Sequence, residues 1–247
     1  MFDIFFKRKK IVVDCFTTNI NAYDMFRLAP AVQHFPEWWK QLSKLHTDEN
    51  KHGLTVERSS MKRCQGFMDL YTAGFVMPLW SDVVIQTRNL EYNYQFADSV
   101  SSISYHDIAQ LGGEFQNFVH VKLKSPWRLQ EKTGVKFMFT EPTWNSPSDL
   151  LDYSVLPGAL DFKYQYTTHV NVFLRKGQRY DWSAGRALAH IIPLSDHEVE
   201  LKFHLVAGVD ENVMRVMDQN SPFFQRTYKK IKDIRDNTAA GKCPFKL

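Results

Sequence analysis

The sequence predicts a mainly β fold with peripheral helices, an α+β arrangement around a β-sandwich or jelly-roll-like core. Three observations carry that expectation. Period-two segments follow one another from Phe75 to Val206. In one stretch Phe162, Tyr164, Tyr166, Val170, Val172 and Leu174 share one side, while Asp161, Lys163, Gln165, His169 and Asn171 share the other. A half-buried strand requires such alternation, because successive side chains point to opposite faces. Second, 44% of the 247 residues are hydrophobic and 14% aromatic, with 19 Phe, 10 Tyr and 6 Trp. That content seals a core and excludes a disordered chain. Third, helical spacing is confined to short stretches before Phe75 and after Val206. β-rich units of this length commonly form one domain. The chain therefore reads as a single domain: an N-terminal strand and short helices over 1–74, a β core over 75–206, and C-terminal helices and a tail over 207–247.

Taken in order, Lys10 to Phe16 alternates as a first strand. Tyr23, Phe26 and Arg27 share one-turn spacing in a short helix ended by Pro30. Pro36-Glu37-Trp38-Trp39 starts another: proline suits a first turn, and glutamate suits the positive end of the helix dipole. The paired tryptophans read as a packing clamp. Thr47 to Gly53 is polar and reads as a loop. Met61 to Ala73 reads as a helix broken at Gly74. Strands follow at Val83 to Arg88, Glu91 to Ala97, Ser101 to His106, Phe118 to Lys124, Val135 to Thr140, Val155 to Tyr166, His169 to Arg175, Ala187 to Leu194 and Glu198 to Val206. Two segments are expected to carry bulges. Beyond Val206, Asp210 caps a helix with Val213, Met214 and Met217, and Ser221-Pro222 starts a second with Phe224, Tyr228 and Ile231.

The charge of +4, from 31 basic and 27 acidic residues, is too balanced to imply a polyanion partner from totals. Cys15, Cys64 and Cys243 form no C-x-x-C pair and suggest a reducing compartment. The basic run Lys7 to Lys10 follows the apolar start instead of preceding it, the reverse of a secretory signal. No apolar run reaches membrane-span length.

Candidate chemistry lies on the strands. Gln165, His169 and Asn171 share a polar face and line any pocket opening there. His120, His169 and His190 are the candidate ligands for a divalent transition metal, since β-sandwich metal sites gather imidazoles from several strands. Against this, His106-Asp107 and His197-Glu198 are adjacent pairs and point to opposite faces. His190 shares a face with Leu188 and Ile192, which predicts a half-buried ring satisfied by a backbone or side-chain partner; His204 should face outward with Lys202 and Glu200. Arg226, Lys229, Lys230 and Arg235 form a basic helical stripe able to meet nucleic acid. Nucleotide loops and the G-x-S-x-G elbow are absent from the sequence.

Two blocks carry a resemblance: KIVVDCF (Lys10 to Phe16) with PEWWKQL (Pro36 to Leu42), and LPGALDFKYQYTTHVNVFLRK with SAGRALAHIIPL (Leu156 to Leu194). Together they resemble an uncharacterised family of β-rich proteins encoded by tailed bacteriophages, marine ones included. That likeness implies a viral origin. The second block is also similar in rhythm to the β-barrel of deoxyuridine triphosphatases, with Gly185-Arg186 at the place of their glycine-basic pair, which adds Arg186 to the ligand candidates. The tyrosine-glycine substrate motif and glycine-rich arm of those enzymes are missing. The leading expectation is a non-enzymatic phage protein without a cofactor, in the virion or the host cytoplasm, acting through contacts with protein partners, either copies of itself, virion proteins or a host target. The alternatives are a cupin-like enzyme with a histidine-lined metal pocket, and a nucleic-acid binder using the C-terminal helix.

Overall fold

The computed structural model describes residues 10–49, 52–89, 91–105, 113–142 and 153–206. The chain enters through β1 (Lys10–Thr17), with Ile11, Val13, Cys15 and Thr17 buried in alternation. The Asn19 side chain accepts from the Ala22 N–H at 2.9 Å and so caps α1 (Ile20–Met25). β2 (Ala29–Pro30), a 3-10 turn (Ala31–His34) and α2 (Glu37–Gln41) follow. Next come β3 (Leu45–Glu49), β4 (Thr55–Ser59) and α3 (Gln65–Thr72). The remainder is strand: β5 (Phe75–Pro78), β6 (Val83–Arg88), β7 (Glu91–Phe96), β8 (Ile103–Tyr105), β9 (Phe118–Gln130), β10 (Lys136–Thr140), β11 (Tyr153–Val155), β12 (Gly158–Asp161), β13 (Thr167–Arg175), β14 (Arg179–Trp182), β15 (Ala187–Pro193) and β16 (Glu198–Leu205).

These strands make a mainly β, sandwich-like protein with peripheral helices. The first sheet runs β11-β13-β9-β1-β16. β13 lies along one side of the long β9, while β8 and β1 succeed each other along the other. β1 and β16 pair in parallel over their whole length, Lys10 with Glu198 through Thr17 with Leu205. The second sheet runs β12-β10-β15-β5-β2 and the third β14-β6-β7, while among the described residues β3 and β4 pair only with each other. One buried cluster joins Val121, Leu123 and Val172 of the first sheet to Phe75, Phe137 and Ile191 of the second and Ile85 and Trp182 of the third. The Phe137 ring centroid lies 4.9 Å from Phe162 and 6.1 Å from Phe75. Each such side chain contributes roughly 1.5–3 kcal/mol of burial.

Three local readings need correction. The expected strand across Val155 to Tyr166 is two strands in different sheets followed by a turn: β11 pairs with β13, and β12 with β10. Pro157 separates them, and Asp161 is buried, where its carboxylate accepts the Lys163 N–H and its carbonyl the Tyr164 and Gln165 N–H groups. An aspartate that satisfies its own turn ends a strand. Phe162 and Tyr164 are nonetheless buried, so their pattern encodes burial and not strand conformation. The polar stretch expected as a loop from Thr47 lies partly in the β3–β4 ribbon, whose two exposed faces leave no apolar alternation to detect. β9 continues past Lys124 because a register shift opposite Thr167/His169 accommodates Pro126, which donates no ladder bond. A second shift lies between Ala187 and Ala189, so the two bulges have places. His106 and the expected C-terminal helices lie outside the described residues.

Candidate functional site

The outer face of β13 and β9 carries His169, Asn171 and His120 of the predicted site. Val170 and Val172 are buried, so His169 and Asn171 point outward, opposite Lys124 and Lys122. His120, two residues along β9, brings its Nε2 to 3.3 Å from the Asn171 Oδ1, and its ring stands edge-on to Phe173 at 5.4 Å. Phe115 packs on the same Phe173 at 4.9 Å. Burial, and secondarily the Lys124 charge, hold the Lys122 ammonium below the ordinary lysine range. Neither lysine has an ion pair among the described residues. Imidazole, amide and two crowded ammonium groups thus share one outer face of the first sheet.

Gln165 does not join this row. It lies in the turn before β13, its N–H bonded 2.9 Å to the Asp161 carbonyl, and the bulge after Thr167 breaks the alternation that would align it with His169. Arg186 is also elsewhere: its guanidinium lies 4.9 Å from the Trp182 ring centroid and 5.3 Å from that of Tyr153, and donates to the Tyr153 hydroxyl at 3.4 Å. Here the cation braces the β14–β15 connection against β11. Beside it a shallow concavity of about 410 Å³ is lined by Asp82, Gln95, Asp181 and Trp182 among others. Asp181 is held by Arg179 through two 2.9 Å bonds, and Asp82 accepts the Ala184 N–H at 2.7 Å.

The three candidate metal-ligating histidines do not converge. His169 lies four residues along β13 from Phe173, the partner of His120, about 13 Å at ~3.3 Å per residue. His190 is in the second sheet, paired with Thr140 and Val76. It is buried and meets the Ala73 carbonyl at 2.8 Å, so of the backbone or side-chain partners its spacing allowed, the structure supplies a backbone one. Burial lowers its pKa against the opposing effect of that bond; His34 is lowered by burial, then by His190 and Lys40. Among the described residues no three His, Cys, Asp or Glu side chains gather at metal-ligand spacing. The basic residues Arg226, Lys229, Lys230 and Arg235 lie outside the described residues.

Sequence reasoning missed the ribbon. Beneath it sits a satellite core: Trp39, Phe67 and Tyr71 are buried with Phe35, Trp38, Leu42, Cys64 and Met68 around them. Phe35 stacks between Trp39 at 4.4 Å and Tyr71 at 4.9 Å, and burial pushes the Tyr71 hydroxyl up to about 12. The Trp39 indole donates to the Met61 carbonyl at 3.0 Å, while Lys62 sits 4.2 Å over the Trp39 ring and donates to the Lys40 carbonyl at 2.8 Å. The tryptophan pair thus clamps the base from which β3 and β4 project. The ribbon is exposed at every position but Val56, and Leu54, in its turn, is 63% exposed. At its foot His46, Ser59, Met61, Arg63 and Cys64 border a shallow concavity of about 570 Å³. The detectable signal was Thr47, Thr55 and Val56, strand-favouring residues flanking Gly53, which adopts φ +73°.

No family model and no curated protein matches the chain. Among the described residues no helix is long and apolar enough to cross a membrane.

Proposed function

We propose that this is a phage-encoded, non-enzymatic protein that works by contact with other proteins, in the particle or on a host target, through the β3–β4 ribbon. One observation carries the reading: a two-stranded ribbon, paired among the described residues only within itself, projects from an aromatic clamp. Such a ribbon is marginal alone in water and presents two open edges, which accept an extended segment of a partner by strand addition. Thr47, Glu49, Thr55 and Glu57 share one face, so the favoured partner surface is basic. The resemblance to phage proteins supports a viral setting, and a jelly-roll-like connectivity of the core, in the virion or the host cytoplasm, belongs to the same proposal.

The test exploits the ribbon's foot, where the Ser60 N–H bonds the Lys44 carbonyl at 3.1 Å. Residues 45–59 are replaced by a short glycine-asparagine turn joining Lys44 to Ser60. Wild type should co-purify with a virion protein or a host protein, and the trimmed variant should lose that partner while keeping its circular dichroism. Equal recovery by both proteins overturns the ribbon assignment. A wild-type protein that retains nothing from virion or host extract overturns the reading as a whole.

A further inference from the structure

β16 closes the first sheet, and among the described residues its only strand partner is β1. The Val206 N–H bonds the Thr17 carbonyl at 2.8 Å, so main-chain groups of even-numbered residues in this strand face β1. Those of Val199, Leu201, Phe203 and Leu205 then face the open edge, because successive residues alternate. Side chains alternate as well: Val199, Leu201 and Phe203 turn toward the core, and Glu198, Glu200, Lys202 and His204 toward the outside.

We infer that β16 is a self-pairing edge through which two copies of this chain form a two-fold dimer, their first sheets joined antiparallel with Leu201 on the axis. Three constraints select that register. Antiparallel bonding requires the outward-facing odd residues to meet, which Val199 opposite Phe203 and Leu201 opposite itself satisfy. The same register sets Glu200 opposite Lys202 and Glu198 opposite His204, an opposite-charge pair on each side of the axis. Moving it by one hydrogen-bonded step sets Glu200 or Lys202 against its own copy. The strand EVELKFHL is thus complementary to its own two-fold image, as an isologous interface demands. Within one chain Glu198 lies 3.8 Å from Lys10 and His204 2.8 Å from Asp14, whereas Glu200 and Lys202 have no ion pair among the described residues. Leu205, 44% exposed, extends the apolar row to the interface end. This dimer is independent of what the ribbon binds.

Sedimentation velocity of the full chain over a micromolar concentration series tests it. Wild type should dimerise, and Glu200→Lys and Lys202→Glu alone should each weaken the dimer about tenfold or more, because the two-fold turns both attractive pairs into like-charge pairs. Mixing the two variants should restore a dimer: in the mixed pair the two substituted side chains face each other with opposite charge, and the unsubstituted Lys202 of one copy faces the unsubstituted Glu200 of the other. The trimmed-ribbon variant should dimerise like wild type. A monomeric wild type, a dimer indifferent to either substitution, a mixture that stays monomeric, or a dimer lost with the ribbon overturns the inference.

Discussion

Gly74→Ala should be the most destabilising single-methyl change in the described fold. Gly74 follows α3, opens the second sheet at Phe75, and adopts φ +69°. Its carbonyl accepts the Ala31 N–H at 3.2 Å, while the preceding Ala73 carbonyl accepts from His190. A Cβ at Gly74 would stand 2.1 Å from the Ile191 carbonyl oxygen, main chain that has no rotamer with which to yield. Two terms add. The left-handed conformation costs an alanine about 1–2 kcal/mol. The clash forces apart the Ile191–Phe75 pair and its neighbours, at about 1 kcal/mol per lost bond and about 1–3 kcal/mol for each buried group left unsatisfied. With one bond lost and one buried group left unsatisfied the sum is about 3–6 kcal/mol, a large part of a domain's usual stability of about 5–15 kcal/mol. Gly177→Ala is the control, with φ +73° and nothing within 4 Å of its Cβ, so it should cost only the first term. Urea unfolding followed by tryptophan fluorescence compares the two. A Gly74→Ala midpoint close to that of Gly177→Ala would refute the close approach of α3's end to β15.

Further outcomes follow from the same geometry. His34 and His190 are both lowered by burial, so the unfolded chain takes up their protons first; stability is full above about pH 6.5 and falls as pH drops below it, by up to about 1.4 kcal/mol per pH unit for each. Thermal melts between about pH 6.5 and 5 should show the loss, and His34→Gln should flatten it; a flat wild-type profile refutes the assignment. Lys122 should titrate below the ordinary lysine range in ¹³C-methyl lysine spectra, and Lys124→Gln should raise it; a Lys122 titration in the ordinary range would contradict the crowding. Arg186→Lys keeps the charge but loses the planar stack on Trp182 and Tyr153, for a cost of about 1 kcal/mol in chemical denaturation; an unchanged midpoint shows the brace idle.

How much was legible depended on whether a residue announces itself by contrast with its neighbours. β6, β13 and β16 each cover one face more than the other, and alternation such as Val199-Glu200-Leu201-Lys202-Phe203 records it, so these strands were placed nearly to the residue. Outward His204 followed from the same periodicity, whereas for His190 it gave a partner but not that this would be the Ala73 carbonyl. The ribbon escaped because neither face is buried. The break at Asp161 escaped because a turn can bury Phe162 and Tyr164 as thoroughly as a strand. Convergence was out of reach, since whether His120, His169 and His190 meet depends on sheet order, and the sheets separate His190 from the other two.

Side-chain pattern and main-chain direction carry different information, and the two proposed contact surfaces turn on the second. The sequence alone shows that Glu198, Glu200, Lys202 and His204 share a face of β16, but any strand with that spacing would look the same. What selects a partner is which amides point away from β1, and one hydrogen bond, Val206 to Thr17, fixes that for the whole strand. With that parity set, only a register centred on Leu201 satisfies both the ladder and the charges. The ribbon lacks such a constraint: Asp48 pairs with Arg58 inside it at 3.3 Å, and the face of Glu49 and Glu57 has no cationic counterpart within the ribbon. An edge complementary to its own image favours a copy of itself, whereas an acidic ribbon requires a different, basic surface. The two proposals therefore give these elements different partners, and a dimer joined at β16 would leave both ribbons available to bind.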